Sequence, residues 1–499
     1  MKEKRVLGFV ASLLVSGQMF AGGYLTNTNQ NAAFVRNFAQ EGTITLTSIY
    51  ANPAGGGFLS NGWHLSLNSQ TAIQERNIET TFPLFQQNAN DRDQTHKFKG
   101  KAFAPVIPSI TLSYNQDKWS LSAHFAVVGG GGKCEFKDGL GSFEAIGASI
   151  APQVVQGIAQ ALMSPPYNIP AATAATTAAN IGPDSYTMNS SMKGNSYYFG
   201  LQVGGTYKFL DNLIGYLGVR GVYAQCSYSG FVGDLTLINS QTGATALPAS
   251  MGGAPLPPGL AGKPYIDLVR DKYKVDPTIT LNCDQTGFGV TPIIGIDWEI
   301  NQHWNVAAKY EFRTVIDLKN SSQMSEMANI LSASDQGKAL GQFADGEKVR
   351  EDIPALFACG VQYSPIQTVR LCAAYHQFFD KNSKKYDNKQ ELIDHNTHEI
   401  ILGAEYDLNE LVTISGSWEK TFYGQSDAFM NDLSYNLTNN MIGCGVRLHP
   451  SKYFNVDLGY MCTFYKDREV TTQTAAGPKT DLYKRTNHTI GVGFNLYLR

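Results

Sequence analysis

Trp304-Asn305-Val306-Ala307-Ala308-Lys309-Tyr310-Glu311-Phe312-Arg313 decides how this chain folds. Val306, Ala308, Tyr310 and Phe312 fall on one face, and Lys309, Glu311 and Arg313 on the other. A period of two with charges confined to one face is a β-strand and not a helix. The same pattern returns at 400–408, where Ile400, Leu402, Ala404, Tyr406 and Leu408 oppose Glu399, Glu405 and Asp407. It returns again at 412–423 and 454–465, with aromatics near the segment ends.

Fourteen such segments can be read: 61–79, 103–114, 119–136, 191–209, 214–237, 276–299, 304–317, 351–364, 369–379, 396–406, 412–423, 437–448, 454–465 and 483–498. Their connections alternate in length. Short ones lie at 115–118, 210–213, 300–303, 364–368, 407–411 and 449–453. Long ones lie at 80–102, 137–190, 238–275, 318–350, 380–394, 424–436 and 466–482. Tight turns at one end and long loops at the other are the asymmetry of a transmembrane antiparallel β-barrel, and an even strand count lets it close. The fold expected is therefore an all-β barrel of about fourteen strands over residues 61–499, with apolar faces toward lipid and polar faces toward the lumen.

Composition agrees. Of the 499 residues 43% are hydrophobic and the net charge is −3, so there is no basic face for nucleic acid. No stretch is long and apolar enough for a membrane helix. Lys2, Lys4 and Arg5 followed by the apolar run 6–15 read as a secretory signal over residues 1–21. Residues 22–60 do not alternate, yet they carry Tyr24, Phe34, Phe38, Ile44, Leu46, Ile49 and Tyr50. The lumen of so large a barrel needs filling, which places this segment inside it as a hatch. The seven cysteines are scattered, without Cys-x-x-Cys or zinc-ligand spacing, and read as small apolar wall residues. No cofactor or metal is expected.

Phe143, Ile146, Ile150, Val154, Ile158 and Leu162 recur three and four apart, which is one apolar face of a helix in the longest early loop. Loop 318–350 has a weaker helical stretch with Met324, Met327, Ile330 and Leu331. Gly129, Gly130, Gly131 and Gly132 interrupt the third strand, where glycine weakens pairing and permits a bend.

Several segments resemble the long-chain fatty acid transporters of the outer membrane, the FadL type. Tyr50-Ala51-Asn52-Pro53-Ala54-Gly55 is similar to that family's Asn-Pro-Ala signature, and Gly22-Gly23-Tyr24 through Ala32-Ala33-Phe34-Val35-Arg36 resembles its hatch. Ile353-Pro354-Ala355-Leu356-Phe357-Ala358-Cys359-Gly360-Val361-Gln362-Tyr363 looks like the family's proline-led strand with Gly-x-x-Tyr. Leu402-Gly403-Ala404-Glu405-Tyr406 and Asn487-His488-Thr489-Ile490-Gly491-Val492-Gly493 are similar too.

The resemblance implies capture of a hydrophobic small molecule, such as a fatty acid, by outer loops. It implies transfer to a lumenal pocket and release to outer-membrane lipid through a lateral opening where the third strand kinks. Asn52, Pro53 and Ala54 would close the hatch, Gly129–Gly132 would form the opening, and the helical loop at 143–162 would offer the groove. A carboxylate head would call for a lumenal cation, and Lys309, Arg313, Arg220 and Arg370 are the candidates. The partners expected are a hydrophobic ligand and membrane lipid, for a monomer in a Gram-negative outer membrane. A diffusion porin would share the barrel but keep an open lumen. A lipid-modifying enzyme would need a nucleophile; His64, His124 and His376 are present, but no Gly-x-Ser-x-Gly occurs and no spacing pairs a His with a Ser.

Overall fold

The computed structural model describes residues 25–165, 167–251, 254–256, 259–333 and 338–498. The expected secretory signal and Gly22-Gly23-Tyr24 lie outside the described residues. Fourteen antiparallel strands close into a barrel: β1 (Gly62–Thr81), β2 (Thr95–Asn115), β3 (Trp119–Phe136), β4 (Ser185–Leu210), β5 (Leu213–Ile238) and β6 (Ile279–Asn301) come first. β7 has two pieces, Trp304–Glu311 and Asp317–Met324, and β8 has Lys348–Arg350 and Leu356–Ile366. β9 (Val369–Phe378), β10 (Thr397–Asp407), β11 (Val412–Phe422) and β12 (Asn439–Ser451) follow. β13 (Phe454–Tyr465 with Arg468–Thr474) and β14 (Gly477–Leu498) complete the wall. Closure is between first and last strands, from Trp63↔Leu498 to Thr81↔Thr480.

The lipid band follows from the alternation. Trp63, Leu67, Leu217, Phe288, Leu402 and Phe494 all point outward and are exposed, which suits lipid and not water. Above this band the pattern inverts. On β2, Lys97, Lys99 and Lys101 face out while His96, Phe98 and Gly100 face in. There the outer face meets water and the inner face packs an apolar core. Strands of this barrel therefore outrun the roughly ten residues needed to cross a bilayer; β4 and β5 have 26 each.

This extension of the strands corrects several of the expected loops. The loop expected at 80–102 shrinks to 82–94, and the loop expected at 466–482 is a hairpin turning at Ala475-Ala476, with Thr471 opposite Thr480. The loop expected at 318–350 shrinks to 325–347, with Met324 on a strand and not in a helix, and the long loops that remain are real. They carry helices α2 (Gly141–Ala148), α3 (Ile150–Met163) and α4 (Ala171–Ile181) after β3, and Glu326–Ser332 after β7. All seven cysteines are free thiols.

Residues 25–60 sit inside the barrel, with helix α1 (Ala32–Arg36) started by the Asn31 side chain accepting from the Phe34 N–H. Glycines on the inner wall make the room. A Cβ on Gly459 would lie 2.9 Å from the Arg36 nitrogen, and one on Gly403 would strike the Asn37 side chain.

Candidate functional site: a lateral gap, its latch and the lumen

β2 and β3 pair at both ends but not between. Above, Gly100 faces Phe136 and Lys101 faces Glu135; below, pairing resumes only at Ile110 with Phe125. β3 stays bonded to β4 through two register shifts, at Val127/Gly129 and Gly129/Gly132. Alternation is lost over 126–132, where every residue is buried, because the strand is drawn into the lumen. Gly130 (φ +98°) and Gly132 (φ +59°) occupy the left-handed region that glycine tolerates. A Cβ on Gly129 would come within 2.1 Å of the Leu25 carbonyl oxygen. The four glycines therefore occupy the inward bend, not the rim.

The bend frees backbone carbonyls, and the hatch satisfies them. The Asn27 N–H donates to the Val128 carbonyl at 2.9 Å, and the Asn27 side-chain amide donates to Val127 at 2.9 Å. Gln30 reaches the same Val127 oxygen at 3.4 Å. On the other lip, β2 carries Pro105 and Pro108 along its unpaired stretch. Proline has no N–H to leave unsatisfied, so it suits an edge. The Pro105 carbonyl accepts from the Thr71 hydroxyl at 2.8 Å, beside a register shift between β1 and β2. The lumenal mouth of the gap is lined by Ala72, Ala102, Ala104, Ile107 and Val127. Phe103 and Val106 stand on its outer side, 58% and 64% exposed. Neither the two prolines nor Asn27 and Gln30 were picked out in the sequence reading.

The hatch is seated by charge. Arg36 donates to Glu405 and to Asp457, both at 2.7 Å, and Arg447 donates to Asp457. His376 bridges Glu41 and Glu399 at 2.7 Å each. Burial alone would raise the Glu41 carboxyl, but His376 and Lys309 hold it below its usual range. Asn52 bonds the Asp297 carboxylate and accepts from the Gly55 N–H at 3.0 Å, closing the turn of the Asn-Pro-Ala segment. Pro53 lies near Gly295, and Ala54 packs with Ile214, Tyr216 and Ile293.

The four candidate cations have other duties. Arg220 forms a two-pronged pair with Glu311 at 2.7 and 3.0 Å, Lys309 donates to the same carboxylate at 2.8 Å, and both cations lie 4.6 Å from the centre of the Tyr50 ring. This triad clamps the hatch. Arg370 is held by Glu405 and Asp407. Arg313 is not lumenal: β7 breaks after Glu311, and Arg313 sits half-exposed in the break, donating to the Asn382 carbonyl and facing Asp352.

The loop helices close the top. Phe143, Val154, Ile158 and Leu162 are buried in the large upper apolar cluster, with Ile146 and Ile150 packed against it. Ala174 and Ala178 of α4 are buried in the same cluster, so the apolar face of α3 is covered in this conformation instead of lying open as a groove. Below it, Leu25, Tyr50, Ile78, Phe98, Val128 and Phe136 continue the cluster into the lumen beside the gap. Met327 and Leu331 of the later loop helix are buried in it too.

No family model matches the chain, and no curated protein matches it significantly. Solved structures do. A FadL homologue from Pseudomonas aeruginosa matches with a TM-score of 0.61 at 14% identity, over 95% of this chain and 99% of that one. The toluene transporter TodX of Pseudomonas putida matches with a TM-score of 0.51 at 12% identity, over 91% and 95%. At such identities the likeness is one of fold, and the fold is that of the FadL-type transporters of hydrophobic compounds.

Proposed function

We propose that this protein takes up a hydrophobic small molecule across the outer membrane of a Gram-negative bacterium and is not an enzyme. The outer loops gather the molecule, the upper apolar lumen holds it, and the gap between β2 and β3 delivers it sideways into the bilayer. The observation that carries this reading is the gap itself. It is a length of barrel wall without strand pairing, lined by small apolar side chains, whose freed carbonyls bond to the hatch. Backbone that cannot pair is expensive in hydrocarbon, so a wall built this way asks for a function. A porin reading would need a clear lumen, and the hatch occupies it.

Long-chain fatty acids are the first cargo to test, in keeping with the resemblance drawn from the sequence. Small aromatic hydrocarbons are the second, because one structure with this fold is a toluene transporter. The test is uptake of radiolabelled oleate and of toluene by liposomes carrying the purified protein, with organic extracts of the protein read by mass spectrometry. Uptake above protein-free liposomes supports the reading. Ion conductance without uptake of either would favour the porin.

A further inference from the structure

Alternation on the upper outer wall gathers lysines beside the gap. Lys97, Lys99 and Lys101 of β2, Lys133 of β3 and Lys193 of β4 all face outward and are exposed. Lys484 of β14 joins them across β1, opposite Asn77. The strand registers set Lys101 level with Glu75 on one side and with Glu135 on the other, and Glu135 level with Lys193. Glu79 faces Lys97. Six lysines thus meet three glutamates on one stretch of wall.

Most of the positive charge is left without a partner. Glu79 takes Lys484 at 2.9 Å, and Glu135 stands 3.9 Å from Lys133. Among the described residues, Lys97, Lys99, Lys101 and Lys193 make no hydrogen bond or ion pair with their side chains. Lys97 and Lys101 face glutamates across their rungs but stand beyond ion-pair distance. The outer faces of β1 and β2 here enclose a surface hollow of about 340 Å³, lined by Glu75, Glu79, Lys97, Lys99, Lys101 and Lys484. Three like charges in a row along one strand face oppose each other, and an anion among them relieves that.

The strip also ends at a boundary. The next outward rung below Glu75 and Lys101 is Ile73 opposite Phe103, 48% and 58% exposed. Val106 and Ile110 continue this apolar face down β2. The wall therefore passes from lysine to lipid within one rung, which is where the headgroups of a bilayer meet its chains. The same rung tops the gap: β2 and β3 pair at Lys101 with Glu135 and next only at Ile110 with Phe125.

We propose that this strip docks an outer-leaflet lipid whose headgroup carries phosphate esters. The phosphates sit on Lys97, Lys99, Lys101 and Lys193, and the acyl chains run down past Phe103 and Val106. Lysine ammonium groups are point charges that meet phosphate oxygens without a fixed geometry. Clusters of them beside a membrane attract anionic headgroups. A lipid held there flanks the upper lip of the gap. The inference rests on the outer-membrane placement and is independent of what the barrel transports.

The experiment measures binding of lipid A, a glycolipid bearing two phosphates, to the full chain in detergent by native mass spectrometry. No uptake is read, so this outcome and that of the uptake test are separable. Lys97→Gln/Lys99→Gln/Lys101→Gln should weaken lipid A binding by about tenfold or more, as expected for three lost surface cations. Lys319→Gln/Lys348→Gln, which removes an outward pair on the far wall, should leave binding unchanged. Lipid A stripped of one phosphate should bind wild type more weakly, and inorganic phosphate at the same concentration should not displace the lipid. Wild-type binding by the triple variant, or equal losses in both variants, overturns the proposal. Displacement by inorganic phosphate makes the strip a simple anion site and overturns it too. If the triple variant loses heat-modifiable gel migration, wild type decides: equal binding of the two lipids overturns the proposal. Wild type that binds no lipid A does the same.

Discussion

The backbone N–H of Asn27 donates to the carbonyl of Val128 at 2.9 Å, so the hatch and the bent third strand are held in one piece at the gap. The Asn27 side chain repeats the bond at Val127. The strand can leave the wall because the hatch takes over what a neighbouring strand would otherwise supply.

Asn27→Ala removes the side-chain bond and leaves Val127 to the longer reach of Gln30. A buried carbonyl that loses a partner costs about 1–3 kcal/mol. Backbone amides over 25–31 are expected to exchange with deuterium about tenfold faster or more, by the same free-energy scale. Wild-type protection would show that these bonds do not hold the hatch to β3.

Deleting residues 22–51 removes the plug and the Tyr50 ring that Arg220 and Lys309 both contact. The barrel should still fold and show higher ion conductance in planar bilayers. A closed channel would mean that wall side chains alone seal the lumen.

Glu311→Gln strips the shared carboxylate from Arg220 and Lys309, which are buried at 4% exposure each. Breaking one partner out of a buried ion cluster costs about 3–5 kcal/mol. The variant should unfold at a lower temperature in detergent, with hatch amides exposed first. Unchanged melting would show that Gln202, whose side-chain oxygen accepts from Arg220 at 2.7 Å, and the Tyr50 ring suffice.

Ile158→Asp and Leu162→Asp put carboxylates where two apolar side chains are packed under the loop helices. Each loses about 1.5–3 kcal/mol of burial. Helices α3 and α4 should come away from the upper cluster and uptake should fall, while the barrel still assembles. Wild-type uptake kinetics would place capture elsewhere.

The strands were legible in the sequence because lipid outside and a polar lumen inside impose a period of two. Their upper ends were not. Above the lipid band the sense reverses, with Lys97, Lys99 and Lys101 out and Phe98 in, so those residues looked like loop. Arg313 was misplaced for a related reason: β7 breaks after Glu311, and the phase that puts Lys309 inward does not carry through. The glycine run was visible because four glycines in a strand have no packing reason to be there. Pro105 and Pro108 were equally visible and carried the same message for the facing edge. Asn27 and Gln30 had no pattern to betray them.

The proposed lateral route sends cargo out through the wall at the bent third strand. Gly129→Val/Gly130→Val tests it most directly. A side chain at Gly129 would collide with the Leu25 carbonyl, and Gly130 needs φ +98°, which a β-branched residue resists. The strand should straighten toward β2 and close the gap. Uptake of the hydrophobic probe by liposomes should then stop, with heat-modifiable migration and ion conductance as in wild type. Full uptake by a correctly folded double variant would contradict lateral release and leave passage straight down the lumen past a displaced hatch.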